Sequence, residues 1–269
     1  MRKLVCLLIV TLLLGSLLAA CTPKEASPDG VAPIKTQGST ASEAANQEKY
    51  HIVVLIDNLQ NQYSLNLAEE IEGICKENAD TVELTLVGSE SDVNTQLAQC
   101  EDAITQGCDA IIIQPNDAVA TGSAIDACNE AGIPVIELST MTENNTYTAF
   151  SGASDVAGGR GQAEYIFEML GGKGQIANLL GVMGFSAQTN REQGTNEALE
   201  KYPNIERVAS QTANWSRAEA LAIAEDWLLA YPNLKAILCQ NDDMALGVIE
   251  ACKSMGRTDI LVAGVDGTA

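Results

Sequence analysis

Two hydrophobic periods alternate along the chain from His51 onward. Short runs rich in Val, Ile and Leu predict strands at 51–57, 82–88, 110–114, 134–138, 174–180, 205–211, 235–240 and 260–265, with a shorter one at 146–150. Longer stretches with apolar residues every three or four positions predict helices at 62–79, 92–106, 117–131, 156–170, 187–201, 216–230 and 242–255. In the first of these, Leu65, Ala68, Ile71, Ile74 and Cys75 share one face. Strands that alternate with helices of this length imply right-handed βαβ units and mainly parallel pairing. Nine strands are too many for one small sheet. The pattern therefore predicts an α/β architecture of two Rossmann-like lobes, 50–151 and 152–269, with the seam near 150–155, where Ser151-Gly152-Ala153-Ser154 offers a crossing segment.

The first 49 residues follow neither period. Arg2 and Lys3 precede an apolar run from Leu4 to Leu18, which is followed by Ala19, Ala20 and Cys21. That is the three-part layout of a secretory signal over residues 1–20, and the run is shorter than a typical spanning helix. Leu18-Ala19-Ala20-Cys21 resembles the bacterial lipobox, which implies that Cys21 is diacylated and becomes the mature N-terminus. Residues 22–49 carry Pro23, Pro28 and Pro33 among Gly, Ser, Thr and charged residues, and read as a flexible tether from the lipidated Cys21. Such a tether spans roughly 30 Å r.m.s..

Composition narrows the function. Hydrophobic residues make up 46% of the 269 and aromatics only 4%, so Ala, Ile, Leu and Val must build the core. With 15 basic against 36 acidic residues and a net charge of −21, there is no basic surface for nucleic acid. The same charge opposes electrostatic docking on anionic lipid, so membrane attachment would have to be hydrophobic, through Cys21. Of eight cysteines, Cys6 leaves with the signal and Cys21 is lipidated, leaving Cys75, Cys100, Cys108, Cys128, Cys239 and Cys252. None forms a C-x-x-C pair, which removes the zinc and thioredoxin-like readings. They read as buried small hydrophobes, and spacing selects no disulfide among them.

Catalytic patterns fail in turn. The single histidine, His51, stands at the start of a strand, whereas sites in open α/β sheets lie beyond the strands' carboxyl ends. Gly171-Gly172-Lys173-Gly174 lacks the Ser or Thr of a P-loop and precedes a strand instead of following one. Gly158-Gly159-Arg160-Gly161 lies inside a helical pattern without dinucleotide-binding spacing. The chain reads as a non-enzyme without cofactor or metal.

Polar and aromatic residues collect at the predicted strand ends. They include Asn61 and Tyr63 after the first strand, Gln114-Pro115-Asn116-Asp117 after the third, and Ser139 and Thr140 after the fourth. Ser186 and Arg191 follow the sixth, Trp215 the seventh, Gln240-Asn241-Asp242 the eighth, and Asp266-Gly267-Thr268 the ninth. Amides, a carboxylate, a guanidinium and aromatic faces are what a polyhydroxylated ligand requires. Each hydroxyl needs a donor or acceptor, and C–H faces stack on rings.

Residues from about 51 to 269 resemble the ribose- and galactose-type periplasmic binding proteins, the type I solute-binding fold of ABC importers. The stretches that carry the resemblance are Gln240 to Gly247 (QNDDMALG), Gly264 to Thr268 (GVDGT), Asn61-Gln62-Tyr63, Gln114 to Asp117 and Arg191-x-x-Gly194. It implies two lobes closing on one sugar or other small polar ligand, delivered to ABC permease subunits by a monomer anchored outside the cytoplasm. It also implies roles. Asn61 and Gln114 would bond hydroxyls, and Tyr63 would stack on the ring with Trp215 opposite. Arg191 would be the main donor, and Asn241 and Asp266 would complete the network. Three positions depart from ribose-type members: Ser64 and Val265 where they have aromatics, and Ser139-Thr140 where they have Asp-Arg. These departures turn the expectation from ribose toward another sugar, polyol or polar metabolite. The resemblance further implies more strands and helices beyond Thr268 to complete the first lobe. The alternative role is ligand-sensing input for a chemoreceptor or histidine kinase.

Overall fold

The structure is a computed structural model that describes residues 49–268. Cys21 and the tether residues up to 48 lie outside them. Two all-parallel sheets form in chain order. The first holds β1 (Tyr50–Ile56), α1 (Gln62–Glu77), β2 (Val82–Gly88), α2 (Val93–Gln106), β3 (Ala110–Ile113), α3 (Gly122–Glu130), β4 (Val135–Leu138) and β5 (Ala149–Ser151), in the strand order β2-β1-β3-β4-β5. The second holds α4 (Asp155–Met169), β6 (Lys173–Leu180), α5 (Ser186–Lys201), β7 (Asn204–Thr212), α6 (Arg217–Ala230), β8 (Leu234–Cys239), α7 (Asp242–Ser254) and β9 (Leu261–Ala263), in the order β7-β6-β8-β9.

The central strands read as unbroken apolar runs because helices cover both of their faces. On β1, Val53 and Leu55 pack with Cys100, Ala103, Ile125 and Cys128 on one side, while Val54 and Ile56 pack with Ala68 of α1 on the other. In the second sheet, Leu179 and Ile237 meet Trp227 and Met244, while Ile176 and Leu238 meet Phe167. The six described cysteines are all free thiols, and all but Cys75 are buried. Among the described residues, no helix is long and apolar enough to cross a membrane.

Four local expectations are corrected. Ile74 is 59% exposed, because the inward stripe of α1 runs through the buried Ser64 and Ala68 and the half-buried Ile71 and Cys75, and Ile74 lies about 100° round the helix from Cys75. The helix expected at 117–131 starts at Gly122. The Asp117 carboxylate accepts the N–H groups of Val119 and Ala120 and turns the chain first. The strand expected at 146–150 is β5 at Ala149–Ser151, and the last strand is only Leu261–Ala263.

Within the described residues, the chain passes from the first sheet to the second once, between Ser151 and Asp155. The two halves also touch on both flanks. The Ala118 N–H donates to the Gly184 carbonyl at 3.0 Å, and the Met141 N–H donates to Ser186 Oγ at 2.8 Å. On the other flank, Asn61 Nδ2 donates to Asp243 Oδ2 at 3.4 Å. Helices α4 and α5 approach to backbone contact. A Cβ on Gly159 would overlap the Arg191 carbonyl, and one on Gly194 would overlap the Val156 carbonyl.

Candidate functional site

The strand carboxyl ends of both sheets face one cleft of about 590 Å³, counting its open mouth. Asn61, Tyr63, Gln114, Arg191, Trp215, Asn241 and Asp266 all line it.

From the first half, β1 is followed directly by Asp57, only 5% exposed. Asn61 caps α1, its Oδ1 accepting the N–H of Tyr63 at 3.0 Å and of Ser64 at 3.2 Å. The asparagine side chain is thus already engaged on both its atoms, since Nδ2 reaches Asp243. The Tyr63 hydroxyl lies 2.8 Å from Ser139 Oγ, which fixes the ring at the cleft wall. Gln114 Oε1 accepts from the Asp57 N–H at 3.3 Å and Ser64 Oγ at 3.2 Å. Thr140 Oγ1 donates back to the Pro115 carbonyl at 3.0 Å.

The second half is organised around Arg191 on α5. Its Nε donates to Asp155 Oδ1 at 2.8 Å, and Nη1 reaches the Gln240 carbonyl as well as Asp266 Oδ1 at 3.5 Å. The guanidinium lies 5.8 Å from the centre of the Trp215 ring, within cation–π range. Phe185 meets that indole edge-on at 6.3 Å. The indole lies against Gly181, where any Cβ would overlap it. Asn241 caps α7 through the Met244 N–H at 2.9 Å and holds the Trp215 carbonyl at 3.3 Å. The backbone is left-handed at Ser139 (φ 62°), Trp215 (φ 61°) and Asp266 (φ 122°), three non-glycine positions on the cleft.

Charge is unevenly matched. Burial pushes the Asp57 carboxyl up to about 6, Ser91 opposing and Glu90 adding to the rise. Burial pushes Asp266 up to about 7, with Arg191 pulling it down and Asp242 and Asp243 pushing it up.

Several strand-end polar residues do other work. Asn116 donates to Ser89 Oγ at 2.8 Å and accepts from Gln96 Nε2 at 3.0 Å inside the first half. Asp117 shapes a turn, and Thr268 bonds Asp242. His51 Nε2 pairs with Thr85 Oγ1 at 2.9 Å, at the far end of β1. The cleft also contains Asp57, Asp155 and Phe185, which sequence reasoning had not selected. Asp57 obeys the same strand-end rule as the others. Asp155 opens a helix, where an acid is ordinary, and only its contact with Arg191 distinguishes it.

The profile of the Periplasmic binding protein domain family matches residues 52–269. The chain belongs to this family. Similar members include the Xylitol-binding protein of Mycolicibacterium smegmatis, 36% identical over 70% of this chain and 54% of its own length. The Ribose import binding protein RbsB of Bacillus subtilis is 31% identical over 86% of this chain and 74% of its own. The chain thus spans about half the length of the first relative and about three quarters of the second. Among solved structures, an ABC transporter solute binding protein from Bacillus halodurans C-125 with bound myo-inositol superposes with a TM-score of 0.79, at 30% identity, over 84% of this chain and 78% of that one.

Proposed function

We propose that this chain captures a small polyhydroxylated solute, a sugar or polyol, between its two lobes and presents it to the permease of an ABC importer. The observation that carries this reading is the convergence of Gln114, Tyr63 and Asn61 from one sheet with Arg191, Trp215 and Asp266 from the other on a single cleft. Ligands of open α/β sheets bind at that edge. Similar proteins named for xylitol and ribose, and one with bound myo-inositol, support a hydroxyl-rich ligand.

In this reading, Arg191 donates charge-assisted hydrogen bonds to ligand oxygens and Trp215 covers a C–H face. Tyr63 covers the opposite face, and Gln114 offers its amide nitrogen. Asn61 and Asn241 act chiefly by fixing the first turns of α1 and α7 at the cleft wall. Cys21, lipidated, would hold a monomeric body outside the cytoplasm.

The test is calorimetric titration and thermal shift with pentoses, hexoses, linear polyols and cyclitols. A saturable one-to-one response from at least one compound supports the reading, and none from any overturns it. Deleting the gene and measuring uptake of the identified ligand separates import from sensing. Lost uptake supports import, whereas intact uptake with a lost transcriptional or chemotactic response supports sensing.

A further inference from the structure

Three carboxylates, Asp57 buried and Asp155 and Asp266 half-buried, line the cleft against one cation, Arg191. That cation is already shared. Asp155 takes Nε at 2.8 Å, while Nη1 serves the Gln240 carbonyl and Asp266. Asp57 has no counter-charge among the described residues. The residue is 5% exposed, and its Oδ1 is buried without a hydrogen-bond partner among them. The other charged groups nearby are also acidic: Glu90 beside Asp57, and Asp242 and Asp243 behind Asp266. Arg217, on the mouth of the adjoining groove, is taken by Glu250.

A buried carboxylate without a counter-charge is expensive to keep ionised, and a neutral polyol would leave the charge uncompensated. An ammonium group supplies what is missing, a positive charge and three donors on a compact head. Resting on the reading that the cleft holds a polyhydroxylated solute, we infer that this solute is a polyhydroxylated amine whose ammonium group sits against Asp57, with its hydroxyls toward Arg191, Gln114 and Asp266. Burial also displaces the Asp57 carboxyl upward, to about 6, with no cation beside it to oppose the rise.

The test uses matched probes on the full chain: D-glucosamine against D-glucose, D-glucamine against D-glucitol, and an amino-inositol against myo-inositol. N-acetyl-D-glucosamine controls for bulk and calcium chloride for a bare cation. At least one amine should bind ten-fold or more tightly than its neutral partner at pH 7.5, and acetylation should abolish the gain. Asp57→Asn should shrink the amine-to-neutral ratio at least ten-fold, and Asp57→Glu should restore part of it. The ratio is read only on variants that melt cooperatively. Neutral compounds binding as tightly as their amines would overturn the inference while leaving the polyol reading intact. Binding of calcium without amines would also overturn it. No response from either column would overturn both readings.

Discussion

Asp155 Oδ1 lies 2.8 Å from Arg191 Nε, joining the first residue of α4 to the middle of α5. The pair holds the arginine on the cleft wall, with its guanidinium 5.8 Å from the centre of the Trp215 ring.

Removing that donor should weaken capture. Hydrogen bonds to a charged group contribute about 1.5–3 kcal/mol, so Arg191→Ala should reduce affinity for the identified ligand roughly 10- to 150-fold in calorimetry. Trp215→Ala should also weaken binding, through lost stacking. If both variants bind like the parent, the ligand does not sit where this cleft places it.

Asp57 makes stability depend on pH. An ordinary Asp titrates near 3.8 and the folded chain holds this one at about 6, so between those values the folded chain retains a proton that the unfolded chain has released. This contribution to stability is present below pH 4 and is lost as pH rises through 6. The displacement corresponds to on the order of 3 kcal/mol. Asp57→Asn should therefore unfold at higher urea than the parent at pH 7.5, with the gap closing toward pH 4. A gap independent of pH would show that the ionised carboxylate is not its source.

The glycine contact between α4 and α5 should tolerate nothing larger. Gly159→Ala or Gly194→Ala forces a Cβ into a carbonyl oxygen of the facing helix. Overpacking of this kind costs about 1–3 kcal/mol, and at Gly159 the overlapped backbone is that of Arg191 itself. Both melting temperature and ligand affinity should fall. Gly158→Ala, where a Cβ meets open space, should change neither.

Anchoring is tested at Cys21. The Cys21→Ala chain should move from the membrane fraction to the soluble extracytoplasmic fraction, because one acyl chain alone holds a protein only marginally and the proposed diacyl anchor would be lost. Unchanged fractionation would remove the lipid anchor from the picture.

The alternation of strands and helices was legible because central strands such as β1 are buried on both faces and leave unbroken Val and Ile runs. Strand-end polar residues were legible as a group, because parallel topology puts them all on one edge. Their division of labour was not. Asn116 and Gln114 stand two residues apart with near-identical chemistry, yet one is tied to Gln96 and Ser89 and the other faces the cleft. Ile74 misled for a similar reason, since hydropathy gives the period of a helix but not how wide a stripe its neighbours cover. Asp155 was hidden because its partner, Arg191, is 36 residues away along the chain.

The contact between Gly159 and Arg191 has a mechanical meaning. With no side chain between them, α4 and α5 meet backbone to backbone, so carboxylate and guanidinium are carried by two helices in direct contact. Asp155 is also the first helical residue after the crossing segment, so any rotation there carries the assembled pair through space intact. A solute would then meet a charge already oriented, and little rotamer entropy would remain to be lost at the moment of capture.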